Sequence, residues 1–313
     1  MKILITGGLG FIGSNLTKYF LGKYKEDKII IIDKCGYSAN TKLLKEFSKF
    51  KNFKFYKEDI TSLKDIEKIF RVEKFDYVIN LAAETSIDKS FLDPELFYRT
   101  NVLGLINLVT LSIKYNVKKF HQVSSYQVYG ENKGISYFKE TDSFNPTNPY
   151  ALSKVHAEEY LKMHSLVNDL DYTISRPSTA FGPYQAHDKL IPRVIFRANN
   201  SSEVPIFGDG SNRRDFIYVY DLIRAIDLIL RNGKKGEAYN VAVHEEHSSL
   251  EIAKLIIKKM RKSSKLINFV DDRKVNETRF AIDTTKIESE LGYRYQYDFE
   301  YALDLTLDFY LGR

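Results

Sequence analysis

A chain of 313 residues with a net charge of +6, 43% hydrophobic and 28% charged, has room for one large or two modest domains and a sizeable core. Its one cysteine, Cys35, excludes an internal disulfide framework and a cysteine-based zinc site, and no metal site is predicted. Lysines spread along the chain fit a solvated surface and predict no nucleic-acid partner; with no run of roughly 18 apolar residues and no signal peptide, a cytosolic chain without membrane contact is expected.

The first element in chain order is MKILITGGLGFIGSN, an apolar run followed by Gly7, Gly10 and Gly13 and then a helical pattern. That is the strand, tight turn and helix a dinucleotide pyrophosphate needs: Gly7 permits the turn, Gly10 lets backbone approach the phosphates, and Gly13 lets helix pack on strand. Gly7, Gly10, Phe11, Ile12 and Gly13 are the candidate contacts, with the positive end of the helix facing the anion. A glycine-rich turn without ligand is the plain alternative. Residues 28–33, KIIIID, read as a buried parallel strand ending in Asp33, where a carboxylate accepts hydrogen bonds from the ribose 2′-hydroxyl of NAD and repels a 2′-phosphate. The expected cofactor is NAD, although Lys34 alongside leaves room for NADP.

Strands then alternate with helices, which predicts a parallel sheet covered on both faces, a doubly wound α/β fold. Residues 53–56 form a strand leading to Asp59 and Ile60, Ser62 opens a helix with Asp65 at capping-box spacing, and residues 75–80 form a fourth strand. Asp59 lies where ligands of such sheets bind and is a candidate adenine contact; a helix cap fits it equally. Leu81, Ala82 and Ala83 would let a cofactor lie close to backbone, as close helix packing also would ask. Residues 94–115 predict a long helix apolar beyond one stripe, one face on the sheet and another on a neighbouring helix or subunit. A fifth strand, residues 118–123, ends in Ser124-Ser125, and Ser125 at the crevice mouth is placed to bond a substrate hydroxyl or carbonyl. Turn backbone is the competing partner for that hydroxyl.

Asn148 and Pro149 suit the cap and first position of a helix that carries Tyr150 and Lys154 on one face. A lysine ammonium near a phenol is expected to lower its pKa and make Tyr150 a base toward a sugar hydroxyl near neutral pH. The spacing alone is common on surface helices; after the glycine turn, the Asp33 strand and the serine-ended fifth strand it becomes specific. From about Arg176 the alternation breaks down, with turn-rich stretches and helices predicted over 190–199, 220–231 and 249–262. An NAD-binding domain over 1–175 and a smaller α/β substrate lobe over 176–313 are expected, some of the later strands and helices returning to the first domain. Arg213, Arg214 and Arg273 are candidates for gripping a phosphate, with surface solvation the usual alternative.

Together these residues resemble the extended short-chain dehydrogenase/reductase family, and within it the NAD-dependent nucleotide-sugar epimerases and dehydratases. The resemblance runs nearly end to end and looks nearest to the dTDP-glucose 4,6-dehydratases. It is carried by Asp33-Lys34 with YSAN at 37–40, Ala82-Ala83-Glu84 with DKS at 88–90, GPYQ at 182–185 with KLIP at 189–192, GDGSN at 208–212 with Arg214-Asp215, and YNV at 239–241. It implies a tightly held NAD, with Ser125, Tyr150 and Lys154 oxidising a nucleoside diphosphate sugar at C4. It also implies Lys189, Arg214, Asn240 and Arg273 on the nucleotide and pyrophosphate, and a homodimer through a four-helix bundle, with which the apolar helix near Leu105 and residues 151–164 agree.

One departure bears on the chemistry. The dehydratases carry Thr-Asp-Glu after the fifth strand, Asp as acid toward the C6 hydroxyl and Glu as base at C5, where this chain has Ser125, Tyr126 and Gln127. Serine can replace threonine, but an amide accepts no proton at neutral pH and a phenol of pKa about 10 is a poor carboxylic acid. Each lost group costs on the order of 10² to 10⁴ in rate. The dehydratases' Asn-Asn is Thr179-Ala180 here and their Pro-Gly-His is Lys274-Val275-Asn276, so the sugar pocket, to which Glu84, Tyr126, Gln127 and Thr179 are assigned, is expected to differ. C4 oxidation needs only Ser125, Tyr150, Lys154 and NAD, and the family's 4-epimerases, which also place Ser-Ser before Val-Tyr-Gly, fit better. The expected reaction is epimerase-type, an isomerase before a lyase. The alternatives are a 4,6-dehydratase that moves its acid and base to Tyr126 or Glu84, and a cofactor-binding protein without turnover.

Overall fold

Four isoleucines in a row, Ile29 to Ile32, cannot alternate between core and water, and all are buried because both faces of their strand are covered. The computed structural model describes residues 1–132, 134–273 and 275–313. The first six strands are β1 (Lys2–Thr6), β2 (Lys28–Ile32), β3 (Phe53–Tyr56), β4 (Tyr77–Asn80), β5 (Lys119–Val123) and β6 (Tyr172–Pro177). Next come β7 (Thr179–Phe181), β8 (Val204–Phe207), β9 (Arg213–Tyr218), β10 (Glu237–Val241), β11 (Glu246–Ser248), β12 (Ile267–Val270) and β13 (Arg279–Phe280). Among the described residues the main sheet has seven strands in the order β3-β2-β1-β4-β5-β6-β10, every pair parallel. The direction of winding reverses between β1 and β4, which opens a crevice at the strands' carboxyl ends.

The helices are α1 (Phe11–Lys23), α2 (Leu44–Phe47), α3 (Leu63–Glu73), α4 (Ile87–Leu92), α5 (Pro94–Tyr98), α6 (Gly104–Lys114), α7 (Pro149–Asn168), α8 (Leu190–Asn199), α9 (Val219–Asn232), α10 (Ser249–Lys259), α11 (Thr285–Leu291) and α12 (Phe299–Leu311). Alternate strand residues go to opposite faces: Ile3, Ile5, Ile29 and Ile31 meet Leu16 and Phe20 of α1, while Leu4, Ile30, Ile32 and Val78 meet Leu105 and Leu108 of α6. Apart from the main sheet, β9 pairs with β11, β13 and β7, and β8 pairs with β12. Strand β10 comes back from that part of the chain to extend the main sheet beside β6.

The sequence expectations fail locally for identifiable reasons. Ser62 forms no capping box; its hydroxyl donates to the Asp65 carboxylate at 2.6 Å instead of accepting from helix backbone. The stretch from α5 to α6 is helical throughout but passes through a π turn at Arg99–Leu103. By length and composition Pro94–Lys114 is also apolar enough to cross a membrane, contrary to the expectation that no such run exists; here it packs against α3 and α7. Helix α12 was not foreseen, although Phe299, Ala302, Leu303, Thr306 and Leu307 are buried at helical spacing behind an Asp298 cap that accepts from Tyr301 N at 2.8 Å.

Gly22 lies exposed near the end of α1, where an added Cβ meets nothing within 4 Å. Gly22→Ala should raise the unfolding free energy by about 0.5–1 kcal/mol in denaturant melts, the difference between the two residues' helix propensities. A decrease would show that this turn of α1 does not tolerate a side chain.

Candidate active site

The glycine turn after β1 divides its three positions by what a side chain would strike. Gly7 has φ +66°, and a Cβ there would lie 2.8 Å from Ala82 N, so the turn is pressed against the end of β4. A Cβ on Gly13 would lie 2.0 Å from Gly7 O, because α1 sits directly on the turn. Gly10 differs: its backbone is extended, the nearest atom to an added Cβ is Gly7 O at 3.3 Å, and it borders open cavity. Phe11, Ile12 and Gly13 line the same space with the first turn of α1, whose backbone N–H groups have no partner inside the helix.

Asp33, just past β2, is held by two backbone donors, Leu9 N at 3.0 Å and Cys35 N at 2.7 Å on separate oxygens. Each oxygen keeps acceptor capacity toward the cavity that Gly7, Gly10, Asp33, Asp59, Ile60 and Ala82 border. Asp59 borders this cavity, but it is not the helix cap: α3 starts after Ser62, and the Asp59 carboxylate accepts from Thr61 N, ahead of the helix, at 2.9 Å. Thr100, in the π turn, and Ser124 border the cavities with buried hydroxyls that have no partner. Open space at Gly10, unpaired helix N–H groups, a pinned carboxylate and orphan hydroxyls together fit a dinucleotide. Glu84 was assigned to the sugar; it instead faces this cavity and pairs with Lys34 at 2.8 Å. The ion pair occupies both residues, so Glu84 is not a spare acid, and Lys34 already has an anion.

The adjoining cavity brings together Ser125, Tyr150 and Lys154 with Leu81, Ala83, Tyr126, Gln127 and Thr179. Asn148 caps α7 as expected, accepting from Ala151 N at 2.8 Å with Pro149 at the first position. Ser125 also meets both readings: it faces the cavity and its Oγ accepts from Gln127 N at 3.2 Å. The expected depression of the Tyr150 pKa is not found. Burial pushes it up to about 12, against the pull of the Ser125 hydroxyl. The ammonium of Lys154 donates to Val123 O at 3.1 Å, and burial brings its pKa down to about 8, opposed by Glu158. Desolvation, which penalises either charged form, outweighs the mutual help that the Tyr-x-x-x-Lys spacing promised.

Tyr126, Gln127, Thr179 and Lys189 border both this cavity and a second one in the smaller lobe. The Tyr126 hydroxyl is bonded to Thr179 Oγ1 at 2.7 Å, burial raises its pKa, and its ring stands edge-on to Phe280. The Gln127 amide oxygen accepts from Asn148 Nδ2 at 3.3 Å. The second cavity gathers Lys189, Arg193, Arg214 and Arg273, with Asp88 and Asp188 as the acids among its described lining. Arg273 and Arg193 lie over the Phe207 ring at 4.6 and 5.3 Å, and the Nε of each is buried without a partner. Arg193 is an addition to the residues that the sequence pointed to, carried into the cavity by α8. Arg213 turns away to Glu251 and Glu246 O. Asn240 is a correction too, fully buried and bonded to Tyr129 and Phe138 O, away from either cavity. Of the expected Lys274-Val275-Asn276 change, Lys274 lies outside the described residues, and Asn276 borders the cationic cavity.

Comparison with known proteins agrees with this geometry. The family model described as GDP-mannose 4,6 dehydratase matches residues 4–306. The chain is 36% identical to the low-salt glycan biosynthesis protein Agl12 of Haloferax volcanii, over 100% of this chain and 99% of that one. Among solved structures it resembles dTDP-glucose 4,6-dehydratase from Bacillus anthracis in complex with NAD, with a TM-score of 0.93, 34% identity and coverage of 100% and 97%. It also resembles UDP-glucose 4-epimerase of Thermotoga maritima with UDP-glucose, with a TM-score of 0.93, 30% identity and coverage of 100% and 99%.

Because an added methyl at Gly10 meets little protein but enters the cavity, Gly10→Ala should leave the thermal midpoint of the NAD-free protein within a few degrees, an N-cap change of about 1 kcal/mol. NAD affinity by calorimetry should fall at least ~10-fold, equivalent to about 1.4 kcal/mol. Unchanged affinity would place the dinucleotide elsewhere.

Proposed function

The chain belongs to the extended short-chain dehydrogenase/reductase family of NAD-dependent nucleotide-sugar epimerases and dehydratases, and from that premise we propose that it acts on a nucleoside diphosphate sugar by transient oxidation at C4, with an epimerase-type outcome. One observation carries the choice: among the described residues lining the cavity of Ser125, Tyr150 and Lys154 there is no carboxylate. Elimination of the C6 hydroxyl needs an acid at C6 and a base at C5. Tyr126 is engaged by Thr179, Gln127 is an amide, and Glu84 is paired with Lys34 on the cofactor side. Oxidation and return at C4 need neither group.

In this reading Ser125 Oγ holds the C4 oxygen and Tyr150 Oη takes its proton, then hands it back. Bound NAD supplies the hydride acceptor and, while oxidised, a positive charge that favours the Tyr150 phenolate. Lys154, beside Val123 O, adds a second positive charge on the same helix face and holds the nicotinamide ribose. Lys189, Arg193, Arg214 and Arg273 bind the diphosphate, for which guanidinium offers paired donors. Gly10, Asp33 and the first turn of α1 hold the cofactor's pyrophosphate and ribose.

A homodimer is part of the same proposal. Leu92, Leu103, Leu152, Leu166 and Val167 leave 85%, 43%, 37%, 81% and 82% of their surface open on α4, the π turn and α7, an apolar face suited to a second copy.

Against a panel of UDP-, dTDP-, GDP- and CDP-hexoses, the expected product is an isomer of unchanged mass with no net change in NADH. Tyr150→Phe should lower kcat at least ~10²-fold. A product lighter by one water would overturn the epimerase reading and favour dehydration. Light scattering should give twice the chain mass, falling to one in Leu103→Glu with Leu152→Glu; a monomeric parent protein would end the dimer proposal.

A further inference from the structure

Tyr150, Lys154 and Glu158 stand four residues apart on α7 and form one buried stripe, with relative exposures of 7%, 4% and 2%. The first two face the cavity; Glu158 does not border it. Its carboxylate instead takes Arg176 of β6 side-on, Nε at 3.2 and 3.1 Å on the two oxygens and Nη2 at 2.6 Å. Arg176 uses its remaining nitrogen on Tyr129 Oη at 2.5 Å and Glu140 O at 3.1 Å. Tyr129 closes the turn that begins at Ser125, and its hydroxyl donates on to Asn240 Oδ1 of β10 at 2.9 Å.

The pair therefore joins two separately built halves of the site. Ser125 comes from the turn after β5, Tyr150 and Lys154 from a helix that begins nineteen residues after that turn ends at Gly130, and Glu158–Arg176–Tyr129 connects the two behind the cavity. Such a charged pair is costly to bury unless its geometry is good, and here nearly every nitrogen and oxygen of it is bonded.

We infer that Glu158 is a positioning residue: through Arg176 and Tyr129 it sets the stripe of Tyr150 and Lys154 against the turn that bears Ser125. It acts through these residues and touches neither substrate nor cofactor. The inference rests on the roles proposed for Tyr150 and Lys154. It has an electrostatic side, because Glu158 is the anion that opposes the loss of the Lys154 proton on burial. The ionisable groups around Lys154 are Tyr150 and Glu158 from α7, Tyr126 and Tyr129 from the turn, and Arg176 from β6. From α4 to α6, Tyr98 meets His156 and uncharged Asn101 meets Ser153, while Asp88, Lys89, Asp93, Glu95, Arg99 and Lys114 are exposed.

The sign follows directly. Removing the Glu158 charge leaves desolvation less opposed, so Lys154 should give up its proton at lower pH. The test is NAD affinity by calorimetry from pH 6 to 10, on the full chain and on Lys154→Met, Glu158→Gln, Glu158→Asp and the double variant Glu158→Gln with Arg176→Gln. The alkaline loss of affinity should vanish in Lys154→Met and move about one pH unit lower in Glu158→Gln. Glu158→Asp should recover at least half of that movement. The double variant should regain thermal stability that the single one loses yet keep the displaced limb, so a Glu158→Gln protein that fails to fold leaves the decision to the other two. A limb that vanishes in Lys154→Met but stays in place in the Glu158 variants overturns this inference alone. A limb that survives in Lys154→Met overturns the role of Lys154 and this inference with it.

Discussion

Desolvation of one lysine and one phenol is the constraint around which this molecule is arranged. A buried Lys154 with a pKa near 8 still holds its proton at neutral pH, whereas a buried Tyr150 near 12 does not release one. The unliganded site thus holds a protonated phenol and an ammonium on one face of α7, and a positive charge brought close to the phenol would lower its pKa. The absence of carboxylates among the described lining residues makes sense in the same terms. An anion beside Tyr150 would hold its proton more tightly still.

The surrounding fold serves that arrangement by fixing distances that no local sequence rule sets. The reversal of winding between β1 and β4 opens the crevice, the glycine turn lies against the end of β4 and seats α1 upon itself, and the π turn carries Thr100 to the cavity while Asn101 bonds both backbone groups of Glu84 and the Ser153 hydroxyl. The insertion of one residue that makes a π turn rotates the polar pair Thr100 and Asn101 inward from an otherwise apolar helix. Opposite, four cations gather with two acids in the lining of the second cavity, leaving a positive balance there.

Charged residues show how position decides meaning. Glu84, Glu158 and Asp33 are all buried or nearly so, yet one neutralises Lys34, one bolts a helix to a strand, and one is held by backbone with acceptor capacity to spare. Composition treats them alike. Their partners separate them, and apart from Cys35 beside Asp33 these lie 18 to 50 residues away in sequence.

What the sequence by itself determined was much of what has a local cause, though not the Ser62 capping box or helix α12. The glycine spacing, the isoleucine run ending in Asp33, the Asn148-Pro149 start of α7 and the i, i+4 placement of Tyr150 and Lys154 depend on neighbours within a turn or strand, and each lies where it was read. The replacement of an acidic pair by Tyr126 and Gln127 was equally legible. What only the tertiary structure decided was which polar groups remain available: Asn240 is consumed by Tyr129 and Phe138, Arg213 by Glu251, and Glu84 by Lys34, whereas Arg193 is left free beside Phe207. It also decided the direction of the Tyr150 shift. Spacing reports which charges are near, but desolvation depends on how much protein closes over a group, and that is fixed only once strands far apart in the chain are laid side by side.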